Sequence, residues 1–158
     1  GLCLLLACAF AQAQDMRIET LQQAAPGLSD PPIRVRVFLP PDYQSTQARY
    51  DTLYINDGQD MEAVGMQATL QRLYARYAIR RIIVVAIDMP PDRMAGYGLF
   101  DRATSTAIAA PTKYGAVGAN AQRYAQWLTQ VLVPTIDARC AGERAATVAR
   151  TASVMASM

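Results

Sequence analysis

The chain has 158 residues, 52% hydrophobic and 18% charged, with 15 Lys+Arg against 13 Asp+Glu and a formal net charge of +2. That balance fits one folded domain long enough to bury a core; it excludes a disordered chain or a multi-span membrane protein and argues against nucleic-acid binding through a basic face. The histidine count is zero, so neither a Ser-His-Asp or Cys-His triad nor an H-E-x-x-H metal site can be built from this chain's own residues.

Gly1 to Phe10 is an apolar run followed by Ala11-Gln12-Ala13 and then polar Gln14-Asp15. An apolar stretch ending in A-x-A reads as the back half of a secretory signal peptide, so 1–13 is expected to be a leader and the protein periplasmic or secreted. The run is too short to span a membrane, which takes about 20 apolar residues. Leu5-Leu6-Ala7-Cys8 loosely resembles a lipobox, which keeps a lipoprotein open. Cleavage after Ala13 would remove Cys3 and Cys8. Cys140 would then have no internal disulfide partner; it is either a buried structural thiol or the partner of a cysteine outside this chain.

Met16 to Leu21 and Ile33 to Leu39 both alternate apolar and polar residues. They predict an antiparallel pair with one face solvated, punctuated by Pro31-Pro32 and Pro40-Pro41. Asp51 to Asn56 reads as a strand running into the turn signal Asp57-Gly58. Val64, Met66, Leu70, Leu73, Tyr74 and Tyr77 are spaced for one face of a helix within 63–77. Arg81 to Asp88 is nearly all apolar, as a strand buried on both faces would be.

No period persists from Met89 to Gly118, which predicts a long irregular, functional or lid-like segment. Asn120 is placed to cap a helix carrying Tyr124, Trp127, Leu128, Val131 and Leu132, and Pro134 should kink or end it before Ile136. Tyr124 and Trp127 read as core, and Met89 and Met94 as loop gap-fillers. Residues 145–149 are a feeble strand candidate. Leading antiparallel strands followed by β-α-β-α alternation predict an open α/β sheet, mostly parallel beyond its first strands.

The chemistry is expected where strands end, because ligands of open α/β sheets bind at the carboxyl edge. Asn56-Asp57-Gly58-Gln59-Asp60 follows one predicted central strand. Gly58 permits close backbone approach, and the Gly58 and Gln59 N–H groups are candidate oxyanion donors. A plain Asp-Gly turn with solvated Asp57 and Asp60 is the competing reading. No third ligand follows that would make this carboxylate pair a metal site, so no metal and no cofactor is expected. Asp92-Arg93 to Tyr97 follows the other strand. Arg93 either clamps an anionic substrate group or pairs with Asp92 or Asp101.

A series of motifs then resembles one family. Val37-Phe38-Leu39-Pro40-Pro41-Asp42-Tyr43 is similar to the v-Y-L-P-P-x-Y stretch of the putative esterase family of α/β-hydrolases, which includes esterase D-like and enterochelin esterase-like enzymes. Leu53 to Gln59 resembles its l-Y-x-x-D-G-q, and Ile82 to Asp88 its i-I-V-x-i-d strand. Asp92-Arg93 to Tyr97 stands at its R-x-x-E-Y loop, with Ala95-Gly96 in place of the glutamate. Tyr124 to Leu128 and Val133 to Asp137 resemble y-x-x-f-l-x-x-e-l-x-P-x-I-d. The pieces occur in family order over about 33–140. The resemblance implies an α/β-hydrolase fold, a small-molecule ester substrate, oxyanion donors at Gly58 and Gln59, and a substrate cleft near Asp57, Arg93 and Tyr97.

It also implies a G-x-S-x-G nucleophile elbow near 150–156, with acid and histidine later. Arg150 to Ala156 has no glycine beside Ser153, and Ser157 fares no better, so neither serine suits that strained turn. Residues 141–158 are alanine-rich and lack aromatic residues, Leu and Ile. The expectation is therefore a leader over 1–13, the N-terminal half of a hydrolase domain over 14–140, and an aberrant tail over 141–158 from a fragment end or frameshift. The sheet would be truncated at the elbow, leaving the edge of strand 81–88 exposed. As given, the chain is expected to be inactive. A non-enzymatic exported α/β binding module and an acyltransferase of the same fold are the alternatives.

Overall fold

The computed structural model describes residues 15–141 apart from 91, 97–98, 102–105, 109 and 113–114. The expected leader over 1–13, the expected tail beyond Ala141 with Ser153 and Ser157, and Tyr97 lie outside the described residues. A four-stranded sheet organises the rest in the order β1-β2-β4-β3, from β1 (Arg17–Ala25), β2 (Ser29–Leu39), β3 (Asp51–Ile55) and β4 (Ile82–Ile87).

β1 and β2 form the expected antiparallel hairpin, with Arg17 opposite Leu39 and Gln23 opposite Ile33. The register shifts between Gln23 and Ala25. A bulge leaves its extra residue outside the ladder, and the Ala24 carbonyl instead accepts a hydrogen bond from Trp127 Nε1 at 2.9 Å. β2 pairs antiparallel with β4, and β3 pairs parallel with β4. The parallel pair needs a crossover, which is α1 (Met66–Ala75). β4 therefore lies between β2 and β3. Among the described residues the free edge beside it is β3, not the 81–88 strand, because the crossover returns the chain to the inner position.

Alternation in β2 and β4 feeds two cores. Ile33, Val35, Val37 and Leu39 join Ile83, Val85 and Ile87 on one face. There they meet Tyr124, Trp127, Leu132, Ile136 and Cys140 of the last helical stretch. Phe38, Val84 and Ala86 face the other way, against Met61, Leu70 and Tyr74. Both faces of β4 are thus covered, which is why its sequence carries no polar residue. Val35, Val85, Ile87 and Leu132 are fully buried, each stabilising the fold by about 1.5–3 kcal/mol relative to exposure. Cys140 is buried, and its carbonyl accepts from Tyr43 Oη at 3.1 Å.

Several local expectations are corrected. The polar face of β2 is not wholly solvated: Arg34 is exposed, but the Arg36 side chain is only 16% exposed because the turn after β3 covers it. Val64 and Tyr77 lie outside α1 and are 60% and 87% exposed; Leu70 and Tyr74 carry its buried face. The segment after β4 is not irregular throughout. It holds a short helix α2 (Arg93–Gly96) and two small hairpins, β5 (Leu99–Asp101) with β6 (Thr106–Ile108) and β7 (Ala110–Thr112) with β8 (Gly115–Val117). Strands of three residues are too short for a periodicity to register.

Asn120 precedes α3 (Ala121–Trp127) without capping it through its side chain; Asn120 Oδ1 accepts from Arg123 Nη1 at 3.1 Å. Pro134 does not end the helix. A π-helical stretch, Leu128–Leu132, precedes it and helix continues over 133–141. Proline lacks an N–H and its ring collides with the carbonyl four residues back. The wider turn, in which Val133 N–H reaches Leu128 O, relieves that conflict and keeps Ile136 on the buried face.

Candidate functional site

The site grows from the end of β3. Ile55 closes the strand, Asn56 leaves it, and Asp57 takes a left-handed conformation at φ 56°, ψ 43°. Aspartate tolerates that region better than most residues. A single 3-10 turn, Gly58–Asp60, follows, closed by Asp60 N–H to Asp57 O at 3.0 Å and Met61 N–H to Gly58 O at 3.1 Å. The Gly58 and Gln59 N–H groups precede the first donor that bonds back into the turn. Such leading N–H groups have no acceptor within their own turn.

Gly58 is required by space. A Cβ there would lie 2.7 Å from the carbonyl carbon of Ile87, 2.8 Å from that of Ala86 and 2.9 Å from Asp88 N. All three are backbone atoms and cannot swing aside. The turn is therefore seated directly on the end of β4. Gln59 locks it there: its Oε1 accepts from Met89 N–H at 3.1 Å, and its Nε2 donates to Asp57 Oδ1 at 3.0 Å.

Charged residues brace the turn from beneath. Arg36 on β2 donates through Nη2 to Gly58 O. The same nitrogen is 3.7 Å from Asp88 Oδ1, while Asp88 Oδ2 accepts from Arg34 Nε at 2.7 Å. On the other side, Tyr124 is hydrogen-bonded through its hydroxyl to Asn56 Oδ1 at 2.5 Å. The Asn120 N–H donates to Ala95 O at 2.8 Å, which brings α2 beside the start of α3.

The sequence-predicted residues thus meet at one edge to a limited extent. Asp57, Gly58 and Gln59 form one turn. The Arg93 backbone begins α2; its side chain, like the whole of Tyr97, lies outside the described residues. Asp92, offered as an ion-pair partner for Arg93, accepts from Ala95 N–H at 3.1 Å through Oδ1. Asp57 and Asp60 hold the Gln59 amide, and among the described residues no group of three His, Cys, Asp or Glu could hold a metal. Arg36 was not among the sequence-predicted site residues, and Asn56 and Asp88 were named only within their motifs. Arg34 shares with Arg36 the face of β2 on which Phe38 is buried, so alternation alone does not single out Arg36.

A large open cleft of about 720 Å³ lies elsewhere, lined by Asp42, Tyr74, Tyr77 and Arg81. Arg81 immediately precedes β4, so this cleft is at the end of the sheet opposite the Gly58 turn.

Comparison with known proteins bears on the edge just described. The family model described as "putative esterase" matches residues 29–154. The chain belongs to this esterase family. Its match includes β2, the Asn56–Asp60 turn, β4 and the helical stretch behind them, and runs on past Cys140. No curated protein matches the chain. A solved structure of a ferulic acid esterase is similar at 14% identity with a TM-score of 0.54, over 79% of this chain and 45% of that one. That likeness bears out the α/β-hydrolase-like fold expected of this chain. This chain spans less than half the length of that structure.

Proposed function

We propose that this esterase-family chain carries the oxyanion-binding part of an exported serine esterase. The ester carbon would be attacked by a serine hydroxyl, forming a tetrahedral intermediate, expelling the alcohol and leaving an acyl-enzyme for water to cleave. The Gly58 and Gln59 N–H groups would receive the negative charge that develops on the carbonyl oxygen. Donors held rigidly before reaction need no reorganisation when that charge appears, and one such donor is worth about 100- to 1,000-fold in kcat.

The observation that carries this reading is the seating of Gly58 against the backbone at the end of β4. A plain solvated turn needs no such contact and no anchor at Met89 N–H. Asp57, Arg93 and Tyr97 are proposed to border the substrate. The acyl acceptor is taken to be water, with a sugar hydroxyl as the acyltransferase variant of the same chemistry. The apolar run and Ala11-Gln12-Ala13 support export; no described helix is long and apolar enough to cross a membrane.

With no histidine in its 158 residues, the chain by itself is expected not to turn over p-nitrophenyl acetate above a buffer blank. Turnover by the purified chain would contradict this assignment of roles. Reading the gene past codon 140 should give G-x-S-x-G followed by a later histidine. Their absence from every frame would favour the binding module.

A further inference from the structure

The Gly58 carbonyl oxygen accepts from two donors, one local and one remote. Met61 N–H is the local donor, at 3.1 Å. Arg36 Nη2, reaching across from β2, is the remote one. We propose that Arg36 sets the direction of the Gln59 N–H and so acts as the positioning residue of the oxyanion donors; this rests on the esterase reading of the turn.

The described chain has no cis peptide bond. In a planar trans peptide the C=O and N–H point in opposite directions. Fixing Gly58 O toward β2 therefore aims the Gln59 N–H away from it. Met61 alone fixes the carbonyl only within a single short turn, which can tilt as a body. Arg36 ties that turn to the central sheet.

Arg36 is not arranged as a simple ion-pair partner. Its Nη2 is 3.7 Å from Asp88 Oδ1, beyond hydrogen-bond range, and Arg34 takes the other carboxylate oxygen. Among the described residues, neither Arg36 Nε nor Asp88 Oδ1 has a hydrogen-bond partner, although both atoms are buried. At the opposite end of the sheet Arg81 closes directly on Asp42 at 2.5 Å. The Arg36 guanidinium is instead committed to a backbone oxygen, with Asp88 supplying a nearby counter-charge.

The test reads the orientation of one N–H. Residual dipolar couplings are measured on the nitrogen-labelled 158-residue chain and its Arg36→Met and Arg36→Lys variants. Arg36→Met should abolish or invert the Gln59 coupling while couplings within β1, β2 and β4 keep their values; Arg36→Lys, which retains a cationic donor, should restore it. If Arg36→Met fails to fold, Arg36→Leu, which likewise has no donor, provides the same reading. An unchanged Gln59 coupling in a variant without the cationic donor overturns the proposal and leaves the esterase reading intact. In a longer form of the esterase that carries serine and histidine, Arg36→Met should lower kcat about 10- to 100-fold with KM unchanged. A lost coupling with unchanged kcat would overturn the oxyanion reading itself, and with it Arg36 as the positioning residue of oxyanion donors.

Discussion

The two ends of β4 each carry an arginine and an aspartate, with the positions exchanged. At the start of the strand Arg81 meets Asp42, which follows β2. At its far end Arg36 from β2 approaches Asp88. The first pair is closed at 2.5 Å and stands beside an open cleft. The second is spread to 3.7 Å, with the arginine nitrogen engaged by Gly58 O. The same two side chains therefore make a strap at one end and a brace for a backbone turn at the other. An ion pair at a sheet edge does not by itself mark a functional end; what its donors hold decides that.

The comparison breaks first at Gly58. Gly58→Ala should destabilise the fold by about 3 kcal/mol, since overpacking here meets backbone rather than a movable side chain. Urea denaturation measures this, and a loss near zero would mean that the turn is loosely seated. Arg36→Met should cost about 2 kcal/mol, because Asp88 is only 16% exposed and would lose a cationic neighbour. Arg81→Met, at the more exposed pair, should cost about 1 kcal/mol or less and lose most of that effect in high salt. Equal losses from the two arginine variants would erase the distinction between the ends.

The smallest expected effect at neutral pH is at Tyr54 on β3. Burial, followed by the nearby Asp137 and Cys140, pushes its hydroxyl up to about 12 from 10.0. Below pH 10 the folded and unfolded states hold this proton equally. Between pH 10 and 12 the unfolded chain releases it first, so stability falls as pH rises. Tyr54→Phe should flatten that fall. It should leave stability at neutral pH nearly unchanged, because the buried hydroxyl has no hydrogen-bond partner among the described residues. An unchanged alkaline slope would assign the fall to other groups.

Much of this arrangement was legible in the residues. Alternation from Ile33 marked β2 because every second residue faces one core, and the apolar run ending at Ile87 marked β4 because both of its faces are buried. Asp57-Gly58 marked the turn because few residues enter the left-handed region readily. Burial at both ends of α1 was overestimated: Val64 and Tyr77 keep the helical spacing but fall where the chain has left the helix. The brace was not legible, because Arg34 and Arg36 look alike in an alternating strand. Only the return of the chain through α1, which places Gly58 over Arg36, separates them. The π-helical stretch before Pro134 likewise depends on keeping both Leu132 and Ile136 against the sheet, a tertiary demand that a local proline rule does not contain.

The most direct test of the oxyanion assignment is a crystal structure of a phosphonate adduct on the serine of a longer form of this esterase-family chain that carries the nucleophile. The account predicts the phosphonyl oxygen within about 2.7–3.1 Å of the Gly58 or Gln59 backbone nitrogen, with Arg36 still on Gly58 O. An oxygen held by other donors, with the Asn56–Asp60 turn making no contact to it, would contradict it.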